Sequence, residues 1–247
     1  MNYKDIIYNS GLEWLPLKIE APVDLIKEEI FKFTSNYVDQ SKTGWSGLSF
    51  RGIDLYKVRP YTNYGFKCED DVPYKWTELA ENCPVTKDFI CKTFKANKFY
   101  RIKVNSLQPG GKIFPHFDSR TQGLGLTEHS PYTDTNPFKL KYITIAVDWP
   151  SKTDYFVNKK KLPISEGDIF LVDFSKIHEV YNNSNKNRLS IIITADLESN
   201  KDWESLVEKS YQEYIEKKDK LKKMDLLYNL KTRFSFYSHQ IKHRFQN

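Results

Sequence analysis

The sequence predicts a mainly β domain, a sandwich or barrel, with helices before and after it in the chain. Three observations predict it. Seven strand-like runs separated by turn residues fill positions 99–197. Two segments ahead of them place apolar residues at helical spacing, and one segment behind them joins a helical stripe to paired charges. A chain of 247 residues fits one large domain with an appendage and can bury a core without disulfides or a structural metal. The expected division is a domain over 1–197, its β core at about 99–197, and a C-terminal helical extension over 198–247.

Taken in order, "APVDLIKEEIFKF" (21–33) has an early proline, acids in its first turns, and Leu25, Ile26, Ile30 and Phe33 spaced for one helical face. "TGWSGLSFRGIDLYKV" (43–58) mixes glycines with β-formers and predicts a strand pair or a loop and strand. "VTKDFICKTFKANK" (85–98) is a second helix, with Phe89, Ile90 and Phe94 on one side. "FYRIKVNSL" (99–107) then alternates, and "PGG" turns it into "KIFPHFD" (112–118). After a long polar stretch come "KLKYITIAVDW" (139–149), "DYFVNKK" (154–160), "GDIFLVDF" (167–174), "HEVYNN" (178–183) and "RLSIIITADL" (188–197). The last helix, 202–224, carries Trp203, Val207, Ser210, Tyr214 and Leu221 as a stripe, with Glu213/Lys217, Glu216/Lys220 and Asp219/Lys223 as i,i+4 pairs.

Composition narrows the function. The chain is 39% hydrophobic and 28% charged, which reads as globular. Three cysteines (Cys68, Cys83, Cys91) show no CxxC spacing, which argues against a zinc ribbon or disulfide framework and suits a reducing compartment. The N-terminus has no apolar signal-like core and no run of 18 apolar residues occurs, so the expectation is a cytoplasmic protein without a membrane partner. Of the net +6, residues 201–247 hold +4, eleven Lys/Arg against seven Asp/Glu. That small excess, laid out largely as helical salt bridges, describes a solvated face and argues against nucleic acid.

One stretch of the β region carries chemistry. In "PGGKIFPHFDSR", His116 and Asp118 stand two apart, so on a strand both face one side with Phe117 turned away. Alone, the pair reads equally as a surface ion pair. A third ligand must come from a strand that returns nearby. His129 falls in a polar loop and His239 and His243 in the basic tail, while His178 opens a strand after "IFLVDF". Two imidazoles and one carboxylate, with positions left open, form the facial arrangement of non-haem Fe(II) oxygenases; zinc accepts the same donors. Ten residues on, Arg188 opens an apolar strand, where a guanidinium is costly to bury unless it meets an anion, and its planar fork suits a carboxylate. The alternative is an arginine at a strand end facing water. Ser190 shares its face by parity and could add a hydroxyl to the same anion.

Together these residues resemble the Fe(II)/2-oxoglutarate-dependent dioxygenases, and within them the aspartyl/asparaginyl β-hydroxylase-like branch, which includes free-proline hydroxylases. A P-G-G-x-I-x-P-H-x-D pattern is matched by residues 109–118, and a G-D-x-x-x-x-D…H-x-V-x-N…R block by Gly167, Asp168, Asp173, His178, Val180, Asn182 and Arg188. The resemblance covers roughly 99–197. It implies a double-stranded β-helix (jelly roll, cupin-like) with N-terminal helices packed outside. It further implies that His116, Asp118 and His178 ligate Fe(II), and that Arg188 binds the distal carboxylate of 2-oxoglutarate. Tyr142 and Thr144, on the inward parity of "YITIAV", stand where the family places another cosubstrate contact, although core packing accounts for them nearly as well. The implied reaction uses O2 to hydroxylate a C–H bond of an amino acid, peptidyl side chain or small metabolite, with succinate and CO2 as co-products. Asp118 favours hydroxylation over halogenation, because related halogenases carry a small residue there. Two other classes stand beside it: a nucleic-acid or nucleobase oxidase using the same iron site, and a β-helix module that binds without turnover. The polar stretch 119–137, with Arg120 and His129, is the expected lid, and 44–52, with Trp45 and Arg51, a second possible wall.

Overall fold

The computed structural model describes residues 12–33, 36–116, 140–172, 174 and 176–244. The expected lid, with Arg120 and His129, lies outside the described residues, as do Asp118 and Asp173. The chain runs through β1 (Trp14–Leu17), α1 (Val23–Phe31), β2 (Val38–Asp39), β3 (Trp45–Gly52), β4 (Lys75–Trp76), α2 (Glu78–Glu81) and α3 (Pro84–Phe94). It continues through β5 (Lys98–Leu107), β6 (Lys112–His116), β7 (Leu140–Asp148), β8 (Thr153–Val157), β9 (Lys160–Lys161), β10 (Ile169–Val172), β11 (His178–Asn182), β12 (Arg188–Asp196) and α4 (Lys201–Arg244).

Two antiparallel sheets result. The larger has the order β1-β10-β7-β12-β5-β3-β2, with β4 beside β3; the smaller has the order β6-β11-β8-β9. From β5 onward the chain alternates between them, β5 to the large sheet, β6 to the small, and so on to β12, with the hairpin β8–β9 entering the small sheet as one unit. That winding is a double-stranded β-helix, and the fold is mainly β as the sequence predicts. The turns obey local chemistry. Gly110 sits at φ +71°, which suits the turn between β5 and β6, and a Cβ on Gly111 would come within 2.8 Å of the Gln108 carbonyl. Gly167 is also left-handed, at φ +88°, and Asp168 Oδ2 accepts from the Ser165 N–H (2.7 Å) to close the turn into β10. The Gly-Asp pair of the second motif thus has a turn-forming role.

The large sheet is covered on both faces, so β12 ("RLSIIITAD") is buried at every position but one. On its outer face Ile102, Val104, Ile143, Ile145, Ile191 and Ile193 pack with Ile26, Ile30, Ile90 and Phe94 of α1 and α3. Glu29 of α1 fastens the helices to each other: its carboxylate accepts from the N–H groups of Val85 and Thr86 and from the Thr86 hydroxyl, at 2.7–2.9 Å, at the start of α3. The inner face of the same strands differs. Lys103, Asn105, Thr144, Arg188, Ser190 and Thr194 stand there, all nearly or fully buried.

Beyond the short β2, β4 and α2, which the sequence does not signal, two elements differ from expectation. β1 was not foreseen because "WLPL" has no alternation; Pro16, lacking an N–H, is tolerated because β1 is the edge of its sheet. α4 runs to Arg244, past the 224 expected from the charge pairs. Its first turns join the core: Trp203 and Val207 are buried with it, the Lys18 N–H donates to Ser210 Oγ (2.9 Å), and Trp14 meets Tyr214 edge-on. Among the described residues no helix is long and apolar enough to cross a membrane.

Candidate active site

Between the two sheets lies a cavity of about 390 Å³. His116 and His178 reach it from the small sheet, and Tyr142, Thr144 and Arg188 from the large one. The register brings the two histidines together: His178 of β11 pairs directly with His116 of β6, and their ring centroids are 4.2 Å apart. Each ring is held by its own strand. His116 Nδ1 donates to the Phe114 carbonyl (2.7 Å) and His178 Nδ1 to the Lys176 carbonyl (3.1 Å). A carbonyl oxygen only accepts, so both Nδ1 atoms carry a proton, and in the neutral form of each ring the lone pair is on Nε2. Phe174 packs edge-on against His178, centroids 5.0 Å apart. Two adjacent imidazoles of one tautomer, backed by carbonyls, suit a divalent transition metal. Among the described residues no third His, Cys, Asp or Glu completes a cluster.

Arg188 is 3% exposed. Its guanidinium lies over the Trp149 ring, 4.2 Å from the centroid, and Trp149 stacks on Tyr155. Burial pushes its pKa down to about 10, partly opposed by the nearby Tyr155. Among the described residues, its Nε, the Thr144 hydroxyl and the Ser190 hydroxyl are buried without hydrogen-bond partners. Ser190 stands on the Arg188 face of β12 but beneath the cavity wall rather than in it. An apolar, aromatic-walled recess holding a buried cation and orphaned hydroxyls has the donor set for a carboxylate ligand.

Asn182 sets the depth of this arrangement. Its Nδ2 donates to the carbonyls of Leu107 and Lys186, both at 2.7 Å, while its Oδ1 accepts from the Ser184 hydroxyl (2.6 Å). One buried amide thereby ties the β11–β12 turn to the end of β5, whose Leu107 pairs with Arg188. Asn182→Leu is expected to cost about 2–4 kcal/mol, since it deletes two donated bonds and strands two carbonyls. Urea denaturation of the variant measures it, and a loss below about 0.5 kcal/mol would show that backbone bonds alone hold the turn.

Trp45, expected as a possible wall, lines the cavity, and so do Arg59, Arg101 and Lys103, which the sequence did not single out. Lys103 Nζ sits 4.9 Å from the Trp45 ring centroid and donates to Gln40 Oε1 (3.0 Å), and Trp45 Nε1 donates to Asn105 Oδ1 (3.3 Å). Arg51 turns elsewhere, stacked on Trp76 and bonded to the Phe99 carbonyl. In "RIKVN" the alternation of charged and apolar residues reads as a half-solvated strand; the polar face instead looks into the cavity.

The family model described as aspartyl/asparaginyl beta-hydroxylase matches residues 18–198. No curated protein matches the chain. Similar solved structures include a 2OG-Fe(II) oxygenase family oxidoreductase from Burkholderia pseudomallei, at 11% identity over 79% of this chain and 88% of that one, with a TM-score of 0.42. A prolyl-4-hydroxylase from Pseudomonas putida is similar at 11% identity over 78% and 96%, with a TM-score of 0.42. A viral collagen prolyl hydroxylase from Paramecium bursaria Chlorella virus-1 is similar at 13% identity over 75% and 98%, with a TM-score of 0.43.

Proposed function

Because the chain belongs to the aspartyl/asparaginyl β-hydroxylase family, whose members are Fe(II)- and 2-oxoglutarate-dependent oxygenases, we propose that it hydroxylates a C–H bond of an amino acid, a peptidyl side chain or a small metabolite, releasing succinate and CO2. The observation that carries this reading is the pair of facing imidazoles on β6 and β11, with buried Arg188 in the same cavity and, among the described residues, no carboxylate to meet it.

In this reading His116 and His178 hold iron through Nε2. Asp118, two residues after His116, supplies the carboxylate that makes a facial set of three. Arg188 binds the distal carboxylate of 2-oxoglutarate through its fork, and the Thr144 hydroxyl, which lines the cavity, is a second donor for that anion, with Ser190 behind the wall. Tyr142, next to Phe174, closes the wall on the β7 side. Ferrous iron with 2-oxoglutarate and O2 supplies the oxidising power for hydroxylation, with the keto acid losing CO2 to become succinate. The chain's own contribution is orientation and exclusion of water. The carbonyls of Phe114 and Lys176 fix the imidazoles, and Trp149, Tyr155 and Phe174 keep the interior apolar. A reducing, cytoplasmic setting suits the three free thiols Cys68, Cys83 and Cys91.

The test begins with anaerobic addition of Fe(II) and 2-oxoglutarate to the full chain. A visible charge-transfer band is expected, followed on admitting O2 by succinate release that rises with the right member of a panel of amino acids, peptides and metabolites. Absence of both the band and any succinate across the panel would remove the oxygenase reading.

A further inference from the structure

Helix α4 carries two apolar faces that point in different directions. Its first turns meet the domain through Trp203, Val207, Ser210 and Tyr214. Further along, Met224, Leu227 and Leu230 are 45–64% exposed. At about 100° per residue the first four positions share one side of the helix, and the centre of the later three is turned about 130° from it. The second face is therefore no extension of the first, and because α4 is one continuous helix to Arg244, it is turned away from the domain side.

In the sequence the second face goes on. Phe234, Tyr237 and Ile241 follow Leu227 and Leu230 at alternating spacings of three and four, which draws an apolar stripe along 224–241, about 26 Å of helix. Charge is arranged around it. By the same projection Lys231 and Lys242 stand at one border of the stripe and Arg233 and Arg244 at the other. Asp225, the one acid in 224–244, stands on the opposite side.

A helix that is apolar on one side and edged by cations suits the boundary between headgroups and acyl chains, where long basic side chains lay their stems on apolar surface and keep their charges among phosphates. Such a helix lies on a membrane and does not cross it, and no described helix is long and apolar enough to cross. The missing span, on which the expectation of no membrane partner rests, does not bear on attachment at a surface. The orientation agrees. With the stripe laid on a flat surface, the side of α4 that holds the domain is turned towards water, so domain and bilayer do not compete for the helix. A second copy of the chain fits less well. Two stripes laid together would set cations at both borders of the seam and leave each Asp225 outside, whereas an anionic headgroup layer meets those cations.

We propose that the distal part of α4, residues 224–244, is a surface anchor that holds the protein on an anionic phospholipid bilayer. The inference does not depend on the chemistry of the cavity.

The test is co-sedimentation of the full chain with vesicles of phosphatidylcholine, either alone or with about one-third phosphatidylserine. Binding to the anionic vesicles is expected to be tighter by at least about 10-fold, and to weaken by about as much when salt rises from about 0.05 M to about 0.5 M. Leu227→Glu combined with Leu230→Glu alters two exposed positions and should weaken binding to anionic vesicles at least about 10-fold, while an unchanged urea midpoint shows that the fold is intact. Lys231→Glu combined with Arg233→Glu should bring binding to anionic vesicles down to the level of the neutral ones. Vesicle binding that ignores the leucine pair, or equal binding to both compositions, would overturn the proposal. So would the absence of vesicle binding, including the case of a dimer in sedimentation equilibrium that the leucine pair dissolves, which would assign the stripe to a second copy instead.

Discussion

His178→Ala is expected to weaken Fe(II) binding at least about 100-fold and to abolish both the visible band with 2-oxoglutarate and succinate formation. The size of the effect follows from the pairing of β6 with β11. His178 faces His116 at 4.2 Å, and its Nδ1–H is already committed to the Lys176 carbonyl; among the described residues no third His, Cys, Asp or Glu stands there to replace the lost nitrogen. Stability should change far less. The ring sits at the cavity wall against Phe174, and its removal enlarges an existing space, at about 1–2 kcal/mol. The two readouts separate a ligand from a packing residue: calorimetry with Fe(II) under argon should collapse while the urea midpoint falls only by the modest amount that this loss gives. A variant that still bound iron tightly and released succinate would exclude His178 as a ligand.

Arg188→Met should separate affinity and stability in opposite directions. The guanidinium is buried, and the depression of its pKa to about 10, below the ordinary arginine range, corresponds to about 3 kcal/mol of unfavourable charge burial. The folded pKa lies below the unfolded one, so the unfolded chain binds the proton more tightly. The penalty is present in full at neutral pH and fades only as pH rises through about 10 towards the unfolded chain's higher value. Methionine removes it while keeping much of the contact with Trp149, so the ligand-free protein should gain about 1–3 kcal/mol. The same change removes the fork that meets the cosubstrate carboxylate, and 2-oxoglutarate affinity should fall about 30-fold or more. Chemical denaturation without ligand and anaerobic titration with 2-oxoglutarate measure the two halves. Unchanged 2-oxoglutarate affinity would mean that this arginine has another task.

The reach of sequence reasoning differed between the two faces of the large sheet. Its outer face was legible, because Ile102, Val104, Ile143, Ile145, Ile191 and Ile193 recur at the strand period and need helices to cover them. The histidines and Arg188 were legible through motif spacing and strand parity. Lys103 and Arg101 were not, since a charged residue at every second position of a strand signals water, and only closure of the second sheet turns that face inward. Asn182 was visible as a motif letter, but its grip on Leu107 and Lys186 depends on β5 and β11 meeting end to end, 75 positions apart in the chain. β1 escaped because four residues with a central proline give no period to detect.

The contact between α4 and β1 bears on where the molecule can be cut. The family match stops at residue 198, and a truncation guided by homology would stop there too. Yet the indole of Trp203 and the side chain of Val207, both past that limit, fill a hollow in the domain's interior, and Ser210 closes the backbone at Lys18. Severed at 198, the domain would present an unguarded strand border beside a greasy gap, the condition under which β proteins stick to one another. What homology marks as a dispensable appendix is the seam that joins the last helix to the first strand.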